Sequence, residues 1–159
     1  MYPVFLNLKK RLAVVVGAGP VGGRKVAGLL AAGATVRVVC LEQAPIPGVE
    51  WITEPYRPEH LDGAALVFAA VNPEINAQVV ADAQARGIWV CDAADGTRGD
   101  FHTPAVLRRG ELVVAVGTGG KSPTVAVQLR DFIATQINSE WIYRLQEESK
   151  ERGEIGEGK

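Results

Sequence analysis

An α/β fold, built on a mostly parallel sheet with helices on both faces, is predicted by three observations on this chain. Apolar runs at residues 12–16, 35–40, 64–70 and 88–91 have the continuous character of strands buried on both sides. Helix-like stretches at 21–32 and 73–86 alternate with them, and each is closed by a glycine, Gly33 and Gly87. The first strand meets the first helix at Gly17-x-Gly19-x-x-Gly22, the fingerprint of a Rossmann-type unit.

The glycines have separate physical reasons. Gly17 allows a tight turn, Gly19 lets the backbone approach a pyrophosphate, and Gly22 lets the helix pack close to the strand. The helix start presents unpaired N–H groups and the positive end of its dipole to phosphate. Gly17, Ala18, Gly19, Pro20, Val21 and Gly22 are therefore assigned to a dinucleotide cofactor.

The remaining elements follow in order. Residues 4–8 are read as a short strand or an ordered lead-in. Pro45, Pro47, Pro55 and Pro58 leave room for a short strand near Trp51 and none for a long second crossover helix. Pro73 suits the first turn of the helix over 73–86. The polar segment 92–103 is expected as a strand-end loop, where open α/β sheets place their chemistry. A further strand is expected over 112–117 and a helix over 123–137. The divisions expected are a cofactor domain over 1–115, a segment over 116–145, and a charged, fraying tail over 146–159.

A length of 159 residues, 47% hydrophobic and 22% charged, suits one soluble domain with a small appendage. Seventeen Lys plus Arg against 18 Asp plus Glu argue against a general nucleic-acid binder. No apolar run is long enough for a membrane span, and the charges of the amino-terminal stretch follow its apolar residues, unlike a secretory signal. A cytoplasmic location is expected. Cys40 and Cys91 form neither a CxxC pair nor a disulfide framework and are read as buried thiols; no metal motif is present.

Several side chains remain as candidates for chemistry. The second strand ends at Cys40 without the usual ribose-binding acid, and Glu42 is read either as that ligand or as an exposed loop residue. NAD and NADP stay open on this basis, and Arg37, inside the strand, is a poor 2′-phosphate clamp. Val71 and Asn72 follow the next strand; Asn72 either bonds the cofactor, caps the helix, or does both. Asp92 and Asp95 each serve as a turn residue or, for Asp95, as a proton acceptor. His102 is a second titratable candidate or a packing residue, and His60 has no helpful context. The cluster Gly117-Thr118-Gly119-Gly120-Lys121-Ser122-Pro123 lacks Walker A spacing. It is read as an anion-binding turn, with Arg98, Arg108 and Arg109 adding charge, or as a solvated cap.

Taken in order, these segments closely resemble the precorrin-2 dehydrogenase and sirohydrochlorin ferrochelatase family, the dehydrogenase module of sirohaem synthesis. The matching pieces are Pro3-Val4-Phe5-Leu6, the run from Val16 through Gly22 to Lys25, Phe68-Ala69-Ala70-Val71-Asn72 with Asn76, and Asp95. Phe101-His102-Thr103-Pro104-Ala105, Arg109-Gly110-Glu111-Leu112 and Thr118-Gly119-Gly120-Lys121-Ser122-Pro123 complete them. The resemblance implies NAD as cofactor, oxidation of precorrin-2 to sirohydrochlorin, and Asp95 as general base. It also implies a homodimer, formed through residues 119–130, and a tetrapyrrole substrate held by His102, Thr118, Gly119, Lys121 and Ser122. Members of this kind continue into a small helical domain, which this chain is expected only to begin. Two alternatives remain: a dehydrogenase that also inserts Fe²⁺ or Co²⁺, and a non-catalytic nucleotide-sensing module.

Overall fold

A computed structural model describes residues 1–42 and 46–156. Two compact units, Met1–His102 and Thr103–Lys159, divide the chain.

The first unit is built on five parallel strands: β1 (Leu12–Val16), β2 (Thr35–Val39), β3 (Glu50–Ile52), β4 (Leu66–Ala69) and β5 (Trp89–Asp92). Their order is β3-β2-β1-β4-β5, so the chain reverses direction across the sheet between β1 and β4. The register aligns Val16 with Val39 on one side and Ala69 on the other, and Ala69 with Asp92. Four carboxyl ends therefore finish level, at the edge where such sheets bind ligands.

Strand alternation explains the unbroken apolar runs. Ala13, Val15, Val36, Val38, Leu66 and Phe68 pack with Val26 and Leu29 of α1 (Pro20–Ala31) on one face. Val14, Val16, Val67, Ala69 and Val90 pack with Val79, Val80 and Ala83 of α2 (Pro73–Ala85) on the other. Both faces are covered, so neither needs polar residues. No crossover helix joins β2 to β3 among the described residues; a single 3₁₀ turn, Pro58–Leu61, precedes β4 instead. Residues 4–8 form no strand, and Val4 and Phe5 are exposed.

Polar side chains brace this unit. The Arg37 guanidinium donates to the carbonyls of His60 and Asp62, at 3.0 and 3.1 Å, and to Glu50 at 3.1 Å. Buried His60 accepts from the Arg57 N–H through Nδ1 (3.1 Å), and its Nε2 lies 2.9 Å from Glu54 Oε1. Both are thus occupied within the fold. The outer edge of β5 is covered by residues 99–101: Asp100 N–H donates to the Val90 carbonyl (2.7 Å), and its carboxylate accepts from the Val90 N–H (2.9 Å). Phe101 then meets Phe68 edge-on, with centroids 5.4 Å apart.

In the second unit β6 (Ala105–Arg109) pairs antiparallel with β7 (Leu112–Val116), and α3 (Pro123–Gln136) packs on this hairpin. The expectation for the chain had neither β6 nor this pairing. The division expected after residue 115 falls inside β7, whereas the units divide after His102, because β7 pairs with β6 and not with the parallel sheet. Arg109 donates to the Ala134 carbonyl (2.9 Å) and the Ile137 carbonyl, capping the negative end of α3. The segment expected to fray over 146–159 is helical as far as Gly156, within α4 (Ser139–Gly156); residues 157–159 lie outside the described ones. Gln146, Glu147, Glu148 and Lys150 are strong helix formers, and an i,i+3 pair, Lys150–Glu147 at 2.8 Å, supports the helix there.

At Gly99 an added Cβ would lie 2.9 Å from the Val90 carbonyl oxygen and 3.0 Å from the Asp92 nitrogen. Gly99→Ala should therefore lower stability by about 1–3 kcal/mol, read as a fall in urea midpoint; an unchanged midpoint would show that this segment does not seal β5.

Candidate functional site

The level carboxyl ends of β1 and β4 frame a mouth. Gly17 there has φ +101°, a conformation favouring glycine, and its N–H donates to the Val39 carbonyl at 2.8 Å. A Cβ at Gly17 would sit 2.3 Å from the Ala70 carbonyl oxygen, and one at Gly22 would sit 1.9 Å from that of Gly17. The α1 amino terminus is thereby pressed against the sheet. Gly19 differs: a Cβ there would meet no protein atom within 4 Å. Gly19 is the N-cap, Pro20 occupies the first turn, and neither a side-chain cap nor an acidic residue serves that turn. Open space in front of uncapped N–H groups fits a pyrophosphate. Val21, from the same turn, and Val71, beyond β4, are exposed, and Ala18 is half-buried.

Beyond β2, Cys40 donates its N–H to the Ile52 carbonyl (3.1 Å) and its thiol to the Glu42 carbonyl. Cys91 is buried as expected; Cys40 is only half-buried, because it lies one residue past the strand. Glu42 is exposed just before residues outside the description.

Asn72 caps α2, its Oδ1 accepting from the Ile75 N–H at 2.9 Å. A more consequential amide is Asn76, fully buried one turn into α2. Its Oδ1 accepts from the Val71 N–H (2.9 Å) and its Nδ2 donates to Asp92 Oδ1 (2.9 Å). Asp92 is the last residue of β5, buried, and not a loop residue as expected. Its Oδ1 also accepts from the N–H groups of Ala94 (2.9 Å) and Asp95 (3.2 Å). Its Oδ2 lies 2.8 Å from Arg98 Nη2, a charge contact outside hydrogen-bond geometry. Sequence reading passed over this cluster; the signals available were an acid ending an otherwise apolar strand and an asparagine inside a helix.

Asp95 follows on the exposed side. Its Oδ1 accepts from Thr97 N–H (2.9 Å) and Thr97 Oγ1 (2.6 Å), and Oδ2 lies 3.3 Å from Arg98 Nε. The two Thr97 bonds, with Arg98 assisting, hold its carboxyl below the usual carboxylate range. With a folded pKa below the unfolded one, any stability it contributes is present above that range and lost as pH falls through it, and solvent screening keeps it small. His102 is half-buried, its ring against Gly96: a Cβ on Gly96 would lie 2.8 Å from Cε1. The structure thus brings His102 to the residue next to Asp95. Lys25, on α1, holds its ammonium 5.7 Å from the centre of the Phe68 ring, and burial lowers its pKa.

In the second unit the Thr118 hydroxyl donates to the Ser122 carbonyl (3.0 Å) and accepts from the Ser122 N–H (3.2 Å). Ser122 Oγ accepts from the Val125 N–H at 3.2 Å, capping α3. Gly119 and Gly120 take positive φ to close the turn, and Gly119 and Lys121 are exposed. Arg98 and Arg109, expected to add charge for a ligand, are engaged with Asp92 and Asp95 and with the α3 carbonyls respectively. No cluster of three metal-ligating side chains occurs among the described residues.

A parallel sheet with a glycine turn at its switch point and an uncapped helix start defines a dinucleotide-binding Rossmann unit. Residues 4–105 match the family model described as "Putative NAD(P)-binding". The chain belongs to that family. It is 39% identical over 137 residues to a siroheme synthase of Chromobacterium violaceum, covering 81% of this chain and 29% of that one. A siroheme synthase of Photorhabdus laumondii is 38% identical over 145 residues, covering 86% and 31%. The chain thus spans about three-tenths of the length of these relatives. Among solved structures, one described as "SirC, precorrin-2 dehydrogenase" shares the fold with TM-score 0.73 at 24% identity, over 92% of this chain and 76% of that one.

Because nothing in the protein contests the space beside Gly19, Gly19→Ala should shift stability by no more than about 0.5 kcal/mol. Dinucleotide affinity should still fall about tenfold or more, a loss of some 1.4 kcal/mol. Titration of NAD fluorescence quenching alongside a urea melt measures both; intact affinity would remove the pyrophosphate from this position.

Proposed function

We propose that this chain is an NAD-dependent dehydrogenase module that oxidises precorrin-2 to sirohydrochlorin. The observation that carries the reading is the Asp95 carboxylate, held beyond β5 by Thr97 and Arg98 at the end of the sheet bearing the glycine turn. Two further features agree with it: the kinship with siroheme synthases and the family's NAD(P) assignment.

NAD is favoured over NADP because Arg37, the cation carried by β2, is committed to His60, Asp62 and Glu50, leaving it no freedom to hold a 2′-phosphate. Glu42 takes the ribose hydroxyls, and Val71 and Asn72 border the nicotinamide half. Bound NAD supplies the hydride acceptor. Asp95, ionised at neutral pH, accepts the proton released as conjugation of the macrocycle extends. His102 stands beside it for substrate contact. Thr118, Gly119, Lys121 and Ser122 offer a hydroxyl, backbone N–H groups and a cation to carboxylates of the tetrapyrrole.

The active form is a homodimer. Val125, Leu129 and Phe132 fall at i, i+4 and i+7 of α3 and are all exposed, Phe132 at 62%. An apolar stripe of that kind suits a helix meeting a second copy.

Asp95→Asn should cut precorrin-2 turnover by about 10²–10⁴-fold while NAD still binds, followed as NADH formation and the sirohydrochlorin spectrum. The parent's kcat/KM should hold through neutral pH and fall only below the ordinary carboxylate range. Full turnover in the variant would end the role of Asp95, and tight nucleotide binding without turnover in the parent would favour a sensing module.

Phe132→Glu should convert the dimer to a monomer in light-scattering chromatography at micromolar concentration. A parent that is itself monomeric there would refute the dimer.

A further inference from the structure

We infer that Asp92 and Asn76 are positioning residues that hold the Asp95 loop and the Val71 loop against one shared buried anchor. The inference rests on the assignment of Asp95 above. A fully buried acid at the end of an apolar edge strand is costly unless it is hydrogen-bonded and paired with a cation. Here the partners are specific. Oδ1 takes Asn76 Nδ2 and the N–H groups of Ala94 and of Asp95 itself, so the backbone of the proposed proton acceptor hangs from Asp92. Oδ2 faces Arg98, whose Nε also meets Asp95, so a single guanidinium spans both carboxylates at 2.8 and 3.3 Å. On its other side Asn76 takes the N–H of Val71, the exposed residue at the cofactor mouth. Any shift of α2 at Asn76 would move both loops together, keeping proton acceptor and cofactor in register.

Asp92 does not face the mouth, since its side chain is fully buried. It acts through Asp95. An aspartate fits better than an asparagine because a carboxylate accepts stronger bonds from N–H groups and offers charge to Arg98.

Asp92→Asn preserves shape and removes the charge. It should lower kcat on the order of 10²-fold, the usual consequence of misplacing a catalytic group by an ångström, with the KM for precorrin-2 and the affinity for NAD changed little. In an Asp95→Asn background the same substitution should cause no further loss; equal losses in both backgrounds, or a KM effect without a kcat effect, would overturn the inference. Amide hydrogen exchange of the chain without substrate supplies a readout free of activity. Ala94 and Asp95 should exchange about tenfold faster in the variant, corresponding to a bond weakened by some 1.4 kcal/mol, while the strands of the parallel sheet keep their protection. Unchanged exchange at both amides would refute the anchor even if turnover fell. If the parent does not oxidise precorrin-2, the functional reading fails and the exchange result still decides the anchor. Should Asp92→Asn not fold, Arg98→Gln, at a side chain one-third exposed, carries the same measurements with a smaller expected loss.

Discussion

Three backbone segments meet at Gly17 with no space for a methyl group. The turn after β1 presses on the Ala70 carbonyl, and the first turn of α1 presses on the Gly17 carbonyl. Those approaches set the distance from helix to sheet, and with it the packing of Val26 and Leu29 on Val15 and Phe68. They also aim the start of α1 along the carboxyl ends of β1 and β4. A side chain at either glycine would push the helix outward, open the core and turn the dipole away from the mouth together. The contacts that close the core and those that prepare an anion site are therefore the same contacts.

The polar groups of the first unit divide by depth. Asn76, Asp92, His60 and the shielded part of Arg37 are spent inside, bonding one another or backbone groups of the segments between strands. Arg98 is drawn inward as well, so it lowers the cost of burying Asp92 and does not stand free for a ligand. Asp95, Glu42 and the exposed part of Val71 are left to face solvent. Two cations that look available in sequence, Arg37 and Arg98, are thus consumed as structural ties.

The first unit was legible in sequence because its signals are local. Unbroken apolar runs, glycines closing helices, proline in the first turn of α2 and the spacing Gly17-x-Gly19-x-x-Gly22 each report backbone geometry directly. The short strand at Trp51 and the missing crossover helix followed from proline sterics. The second unit was less legible. Strand β6 ends in two arginines and is never fully buried, so it has neither the apolar run of a central strand nor a partner recognisable from sequence. The Asn76–Asp92 pair escaped for a related reason: it joins residues 16 positions apart through a contact that only the fold creates. Asp95 was legible as a loop acid, but its ties to Thr97 and Arg98 were not.

The contrast in packing between the units bears on what the chain requires. In the first unit both sheet faces are closed by buried Val, Leu, Ala and Phe. Among the described residues of the second, only Val116 and Ala126 are buried apolar side chains. A two-stranded hairpin under one helix gains too little from such burial to offset the conformational entropy of ordering it. Meanwhile Val125, Leu129 and Phe132 leave an apolar stripe along α3, and Trp141 and Leu145 another at i, i+4 of α4. Local ties such as Arg109 on the α3 carbonyls and the Thr118–Ser122 turn shape this unit without supplying a core. In the homodimer proposed above, covering these stripes would add stability to this unit in a concentration-dependent way.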